Sequence, residues 1–456
     1  MPTRFPMNVQ QRCGVAAILL IALIAGLFVW CIDGYGFEPR DDSRQYHNIA
    51  VNLAERGIIS MDGQPPYEPD ARRVPGYPMF LAAIYSFVGP NVTLAKFIQT
   101  AFVPLWVLLT FLIGYRVSRK RGAVFAAAAI VLITPVLLEM SNRLLTEGLF
   151  TVLLLTGTLT SYLWADTSQF RWAAVTGMCW ASLGLIKPEA ILLPAAVIPF
   201  VLINTREFRT ARLAQCVVAL MICGTFIGVW VYRNNNVVGR PCLISGSGDG
   251  SGPSLLRQYR LRAENGFTFM PERYTFLYPN DWKERQAAFD AAMDGPVHNP
   301  DESDVECWLH RPMLTAQYTL VRFAGLMRPV SSSRTFGLDR DFTQLRGGSS
   351  LLPLAGKAGM LMLDVLGVLL SVLGVCWSLH PSNRRLWIIT ATIAYFVTVY
   401  SLLHGITRYR VPLMPLGILL GCLCIASIAC RFRNRSNSNT SPTTSQPPAP
   451  EAPAAT

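Results

Sequence analysis

An all-helical protein that crosses a membrane many times is the fold class this sequence predicts. Three observations predict it. Of the 456 residues, 51% are hydrophobic and only 15% are charged, against roughly 25% charged in soluble globular domains. Apolar runs of about 18 or more residues recur, the length a helix needs to cross the bilayer core. The Lys and Arg behind the net charge of +12 gather in short loops between those runs, as the positive-inside rule expects. That placement explains the basic balance without nucleic-acid binding, which is not expected.

The elements follow in order. Residues 1–12 are a short polar N-terminus with Arg4 and Arg12, assigned to the cytoplasm. Residues 13–32 are the first span. The run is long for a signal-peptide core, and no A-x-A site follows it. Residues 33–94 form the first outer loop. Within it Tyr46, Ile49, Ala50, Leu53 and Ala54 recur at helical spacing, which predicts an amphipathic helix lying on the membrane. Tyr77 to Val88 is too short to span easily and reads as a second juxtamembrane helix, started by Pro75 and Pro78. Spans are expected at 95–117, 123–140, 145–164, 172–187, 189–204 and 213–232. A large polar loop, 233–355, carries helix-like pieces at 281–293 and 313–328. Three spans at 356–378, 386–403 and 411–430 bring the expected total to about ten. The Ser/Thr/Pro/Ala-rich tail, 431–456, is expected to be disordered and cytoplasmic. Residues 13–232, including the first outer loop, are read as one membrane module, and 356–430 as the C-terminal membrane helices.

With a cytoplasmic N-terminus, the basic loops 118–122, 204–212, 381–385 and 431–435 all face the cytoplasm. Thr407 to Arg410 is the basic exception. It shares the extracytoplasmic face with the first loop, Glu147, Lys187 and the large loop. Of the 11 Cys, most lie inside spans and act as small hydrophobes. None forms a CxxC or a Cys/His metal pattern. Cys242 and Cys307 share the large loop and are placed to pair if it faces an oxidising compartment.

The charges that stand out therefore converge on one face. Asp41 and Asp42 lie just past the first span, and Tyr46 shares a helix face with Asp42. Glu147 opens a span. An acid so near hydrocarbon is a functional candidate, unless it is simply hydrated or paired with Arg143. Lys187 and Glu189 sit at a re-entry turn, where an ordinary interfacial pair is the plain reading. Arg72 and Arg73 precede the PGYP turn, and Arg408 and Arg410 flank Tyr409. Arg forks match phosphate oxygens, and at this depth a membrane-anchored phosphate is the fitting partner. Outside the cytosol, activated sugar donors are lipid-linked. Transfer needs a carboxylate to take the acceptor's proton and cations to hold the departing phosphate. The Gly-rich run 245–252 lacks the P-loop Lys and is read as a loop near the site.

Several stretches, in this order, carry a resemblance. They are Asp42-Ser-Arg-Gln-Tyr46 after one span, PGYPMFLAAIYSFVG at 75–89, LLTEGLF at 144–150, GLIKPEAILLP at 184–194, VYRNNNVVGRP at 231–241 and TRYRVPLMPL at 407–416. The chain resembles the GT-C membrane glycosyltransferases, in the bacterial branch related to protein O-mannosyltransferases and the lipid A aminoarabinose transferase. The resemblance implies a GT-C-type helical bundle with juxtamembrane helices in the first loop. It implies a polyprenyl-phosphate sugar as donor and inversion at the sugar. It makes Asp42 the general base, with Asp41 as backup, and matches Glu147 to a second acidic position that shapes the site. Arg72 or Arg73 falls at the family's phosphate-binding position, with Lys187, Arg408 and Arg410 as further phosphate candidates. Tyr46, Tyr77 and Tyr409 would shape the substrate site. Relatives of the aminoarabinose type often carry acid-Lys-Pro where this chain has Ala71-Arg72-Arg73-Val74, which leaves the phosphate ligand open.

The function expected is sugar transfer from a polyprenyl phosphate to a protein, lipid or polysaccharide acceptor, outside the cytoplasm, in a multi-pass protein of the bacterial inner membrane. No cofactor is expected; a divalent metal is conceivable but not predicted. An O-antigen polymerase or ligase is the rival enzyme, and it would place key Arg and His in the large loop. A lipid-linked saccharide transporter is the rival without catalysis. It would need midplane charges and internal repeats.

Overall fold

The computed structural model describes residues 8–33, 39, 41–204, 210–239, 241–244, 312–330, 351–403 and 405–439. Among these residues every regular element is a helix. Helix α1 (Val9–Asp33) is apolar almost throughout, and Leu20, Ile21, Ile24 and Phe28 point outward as lipid-facing residues would. Helix α2 (Asp41–Arg56) buries Tyr46, Ile49, Ala50 and Asn52 on one face, the stripe its periodicity predicts. That face packs on α3 (Gly76–Val88). A Cβ on Gly76 would come within 2.7 Å of the Leu185 carbonyl oxygen, so glycine lets the start of α3 abut the following bundle.

Helices α4 (Val92–Gln99) and α5 (Phe102–Val117) together make one membrane-length rod. Helices α6 (Arg121–Ile133) and α7 (Pro135–Ser141) are bent by 60°. Thr134 is extended there, as a residue before proline prefers, and Pro135 restarts the helix. Next come α8 (Glu147–Thr167), α9 (Phe170–Ile186), a 3-10 turn over Pro188–Ala190, α10 (Leu193–Ile203) and α11 (Thr210–Val238). After the large loop, α12 (Pro312–Met327) packs on α14 (Trp387–Leu403). Helix α13 (Leu351–Ser378) packs on α15 (Met414–Asn439). Gly374 lies against the backbone of Leu420 and Gly421, and Gly421 against Leu370. Small residues four apart, Gly417 and Gly421, let these two helices approach closely without an aqueous hydrophobic effect.

Among the described residues, seven helices are long and apolar enough to span a membrane, or eight if α6 and α7 count as one bent span. Helix α9 has only 17 residues, and the Pro188–Ile203 stretch is short as well as apolar, because Pro188 interrupts it. The tail also differs: α15 runs to Asn439, where disorder was expected from 431. The expected helix 313–328 is present as α12, whereas 281–293, Cys307 and the Gly-rich run from 245 lie outside the described residues.

The two ends of the bundle differ in charge chemistry. At one end Asp166 takes Arg116 at 2.6 Å and Arg385 at 3.1 Å, and Lys120 donates to Ser427. The basic loops meet there. The opposite end holds the carboxylates Asp42 and Glu147.

Candidate active site

The site is built from the first turn of α2, the residues before α3, the first residue of α8, the end of α9 and the 3-10 turn Thr407–Leu413. Each places one charge. Asp42 opens α2, where the helix dipole favours a carboxylate. Its Oδ1 accepts from Arg73 at 2.6 Å and its Oδ2 from Arg408 at 2.6 Å. Arg73 is held by a second bond, Nε to the Gln45 carboxamide oxygen at 2.7 Å. Asp42 is 23% exposed, so the site stays open to a ligand. Burial pushes its carboxyl up, but the hydrogen bond and charge of Arg408, with those of Arg73, outweigh that and hold it below the usual carboxylate range.

Arg408 also faces the second acid, with its Nε 3.8 Å from Glu147 Oε1. One guanidinium thus joins the two carboxylates. Glu147 is almost fully enclosed and takes Lys187 at 3.0 Å. The Lys187 ammonium lies 4.2 Å from the centre of the Tyr409 ring and also faces Phe150 and Tyr400, which suits a cation removed from water. Tyr409 stacks on Tyr400 at 5.0 Å, and its hydroxyl accepts from Arg408 at 3.4 Å.

The structure sorts the sequence candidates. Asp42, Arg73, Glu147, Lys187, Arg408 and Tyr409 form one connected network. Tyr46 is buried below it, its ring 5.5 Å from the Arg73 guanidinium and edge-on to Tyr77. Tyr77 is fully buried and donates to Gln99 Oε1 at 2.8 Å, so it packs the floor rather than facing substrate. Asp41 is exposed, with its backbone in the left-handed region (φ 49°). Arg72 is half-exposed and turns toward Asp70 instead. Arg410 is buried in an ion pair with Asp364. Lys187 is 6% exposed, which leaves it little access to a phosphate. Arg143 pairs with Glu139, not with Glu147.

Sequence reasoning missed Gln45, Gln99 and Asp364. A single acid within an apolar helix was the available signal for Asp364. Nothing in the spacing marks the two glutamines. Among the described residues no three His, Cys, Asp or Glu side chains come together as a metal site. The two carboxylates here are each paired with cations of the chain itself.

No protein-family model and no curated protein matches the sequence. Solved structures do match in shape. The archaeal oligosaccharyltransferase AglB from Archaeoglobus fulgidus, in complex with an inhibitory peptide and a dolichol-phosphate, aligns over 96% of this chain and 53% of its own. The TM-score is 0.51 and the identity 12%. The same oligosaccharyltransferase tethered to an acceptor peptide aligns over 92% of this chain and 50% of its own, with TM-score 0.51 and 10% identity. ArnT from Cupriavidus metallidurans, in the apo state, aligns over 94% and 81% with TM-score 0.42 and 12% identity. The chain spans about half the length of the archaeal structures it matches. The likeness is one of fold, and that fold is the GT-C fold of membrane glycosyltransferases.

Proposed function

We propose that this chain transfers a sugar from a polyprenyl phosphate to an acceptor outside the cytoplasm. The observation that carries the reading is Arg408, which joins Asp42 and Glu147 at the end of the bundle away from the basic loops. A membrane-anchored phosphodiester carries one negative charge. Its leaving form, a polyprenyl phosphate monoester, carries up to two. Cations fixed beside the breaking bond therefore bind the transition state more tightly than the ground state. Arg408 and Arg73 are the cations with free faces. Dolichol-phosphate in the archaeal structure of the same fold is a ligand of the required chemistry.

In this reading the acceptor X–H attacks the anomeric carbon as the bond from that carbon to the phosphate oxygen breaks. Asp42 takes the proton, and the phosphate leaves with the bonding electrons onto Arg408 and Arg73. Direct displacement inverts the anomeric centre. Both Asp42 oxygens are engaged by guanidiniums. An arriving phosphate competes for the same two guanidiniums, which loosens them from Asp42 and raises its basicity. Donor binding thus precedes proton abstraction. Glu147, neutralised by Lys187, holds the far side of Arg408.

The test is transfer of label from a panel of polyprenyl-phosphate sugars, with membranes carrying matched amounts of wild type, Asp42→Asn and Glu147→Gln. Asp42→Asn is expected to lower kcat by about 10²–10⁴-fold, the range for a lost general base, with donor binding retained. Full turnover by Asp42→Asn would refute the mechanism.

A further inference from the structure

Arg410 was expected at the phosphate, yet it is buried and pairs with neither Asp42 nor Glu147. It donates to the carbonyls of Arg328 at 2.6 Å and Leu326 at 3.2 Å, and it pairs with the Asp364 carboxylate. Asp364 is fully buried and is the one acid in α13. Its Oδ2 also accepts from the backbone N–H of Val330 at 2.7 Å. One ion pair therefore ties together α13, the end of α12 and the turn Thr407–Leu413. Thr407 adds a bond to the Gly325 carbonyl at 3.3 Å, and Gly405 lies against the backbone of Arg322.

Arg408 and Arg410 sit two apart in a 3-10 turn, where two residues subtend about 240° and so face different sides. Arg408 reaches Asp42 and Glu147, while Arg410 reaches Asp364. The turn is gripped between carboxylates on opposite flanks. Among the described residues, two atoms of the inner grip, Asp364 Oδ1 and Arg410 Nε, have no hydrogen-bond partner. A buried ion pair with unmet atoms is a poor way to gain stability, since apolar residues of like size often do as well or better. What such residues cannot reproduce is the fixed direction of the guanidinium bonds.

We infer that Asp364 is a positioning residue: through Arg410 it fixes the turn Thr407–Leu413 so that Arg408 spans Asp42 and Glu147. Its kinetic consequence rests on the glycosyl-transfer reading; its structural consequence does not. The experiment uses the full chain in lipid nanodiscs, as wild type, Asp364→Asn, Asp364→Glu and the double apolar variant Asp364→Leu/Arg410→Met. Backbone hydrogen exchange is followed over 405–413 and over α2, alongside melting temperature and kcat/KM for the polyprenyl-phosphate sugar. Asp364→Asn is expected to speed exchange in 405–413 by about tenfold or more while α2 stays unchanged, and to lower kcat/KM by a similar factor. Asp364→Glu is expected to recover most of both. The double variant is expected to recover the melting temperature but neither slow exchange nor kcat/KM. A double variant that recovers all three would overturn the inference, because the pair would then serve the fold alone. So would an Asp364→Asn protein whose turn exchanges like wild type. Absence of transfer in wild type would count against the glycosyl-transfer reading instead, and the exchange arm would still decide the role of Asp364.

Discussion

Asp42 is the residue whose surroundings make the sharpest demands. Two arginines hold its carboxyl low against the upward push of burial. A carboxylate with a depressed folded value contributes stability above its unfolded value, about 3.9 for free Asp, and loses it as pH falls through the folded value. Asp42→Asn is therefore expected to melt below wild type at neutral pH. The gap should close as the medium is acidified below about pH 4; a gap independent of pH would show that the carboxylate charge is not what matters. Under the proposed mechanism, the acid limb of kcat/KM is expected to report the same group in the free enzyme. Arg73→Gln should shift that limb to higher pH, since it removes one of the two cations. The Lys187 ammonium, enclosed by Glu147 and three aromatic rings, is a fixed counter-charge.

At the scale of elements, the α13–α15 seam is a close approach that bears on the site, because α15 continues from the turn carrying Arg408. Gly421→Val would drive a side chain into the Leu370 backbone, which cannot move aside as a flexible side chain would. Overpacking of this kind costs about 1–3 kcal/mol. The expected result is a lower midpoint of detergent-induced unfolding, with Gly224→Val, which meets open space, as the tolerated control. Elements were legible in the sequence where one local rule governed them. The apolar stripe through Tyr46 and Ile49 marked α2, and proline marked the start of α3. Choices set by distant partners were not legible. Arg73 rather than Arg72 faces Asp42 because Gln45 and Asp42 lie on its side while Asp70 draws Arg72 outward. Arg408 and Arg410 look alike in sequence, and Asp364, 46 residues away, separates their roles. Apolar composition likewise does not show that Pro135 bends the stretch from α6 to α7 by 60°.

For the whole molecule, the decisive property is that Asp42 and Glu147 with their cations occupy one end and the basic loops the other. On the proposed reading, the positive-inside rule would put the basic end in the cytoplasm. In a cysteine-free background, Gln64→Cys in the exposed first loop is expected to react with an impermeant maleimide from outside intact cells. Gln169→Cys, at the exposed turn between α8 and α9, is expected to react only after the membrane is opened. The reverse pattern would invert the molecule and place the site facing the cytosol, where nucleotide-activated donors would become the substrates to try.

The buried partner of Arg410 also has a consequence for biosynthesis. A ribosome delivers α13 to the membrane before it has made the turn, since Asp364 precedes Arg410 by 46 residues. During that interval the helix holds a lone carboxylate among lipid tails, worth about 2.5–3.5 kcal/mol against insertion at a helix centre. Helix α1 has no such difficulty, as residues 13–32 carry no charge. It can settle in lipid by itself and wait for α5. A nascent chain cut before Thr407 should leave α13 incompletely inserted, and synthesis of the last fifty residues should draw it in. The C-terminal third is thus assembled as a unit after translation has passed it, not helix by helix.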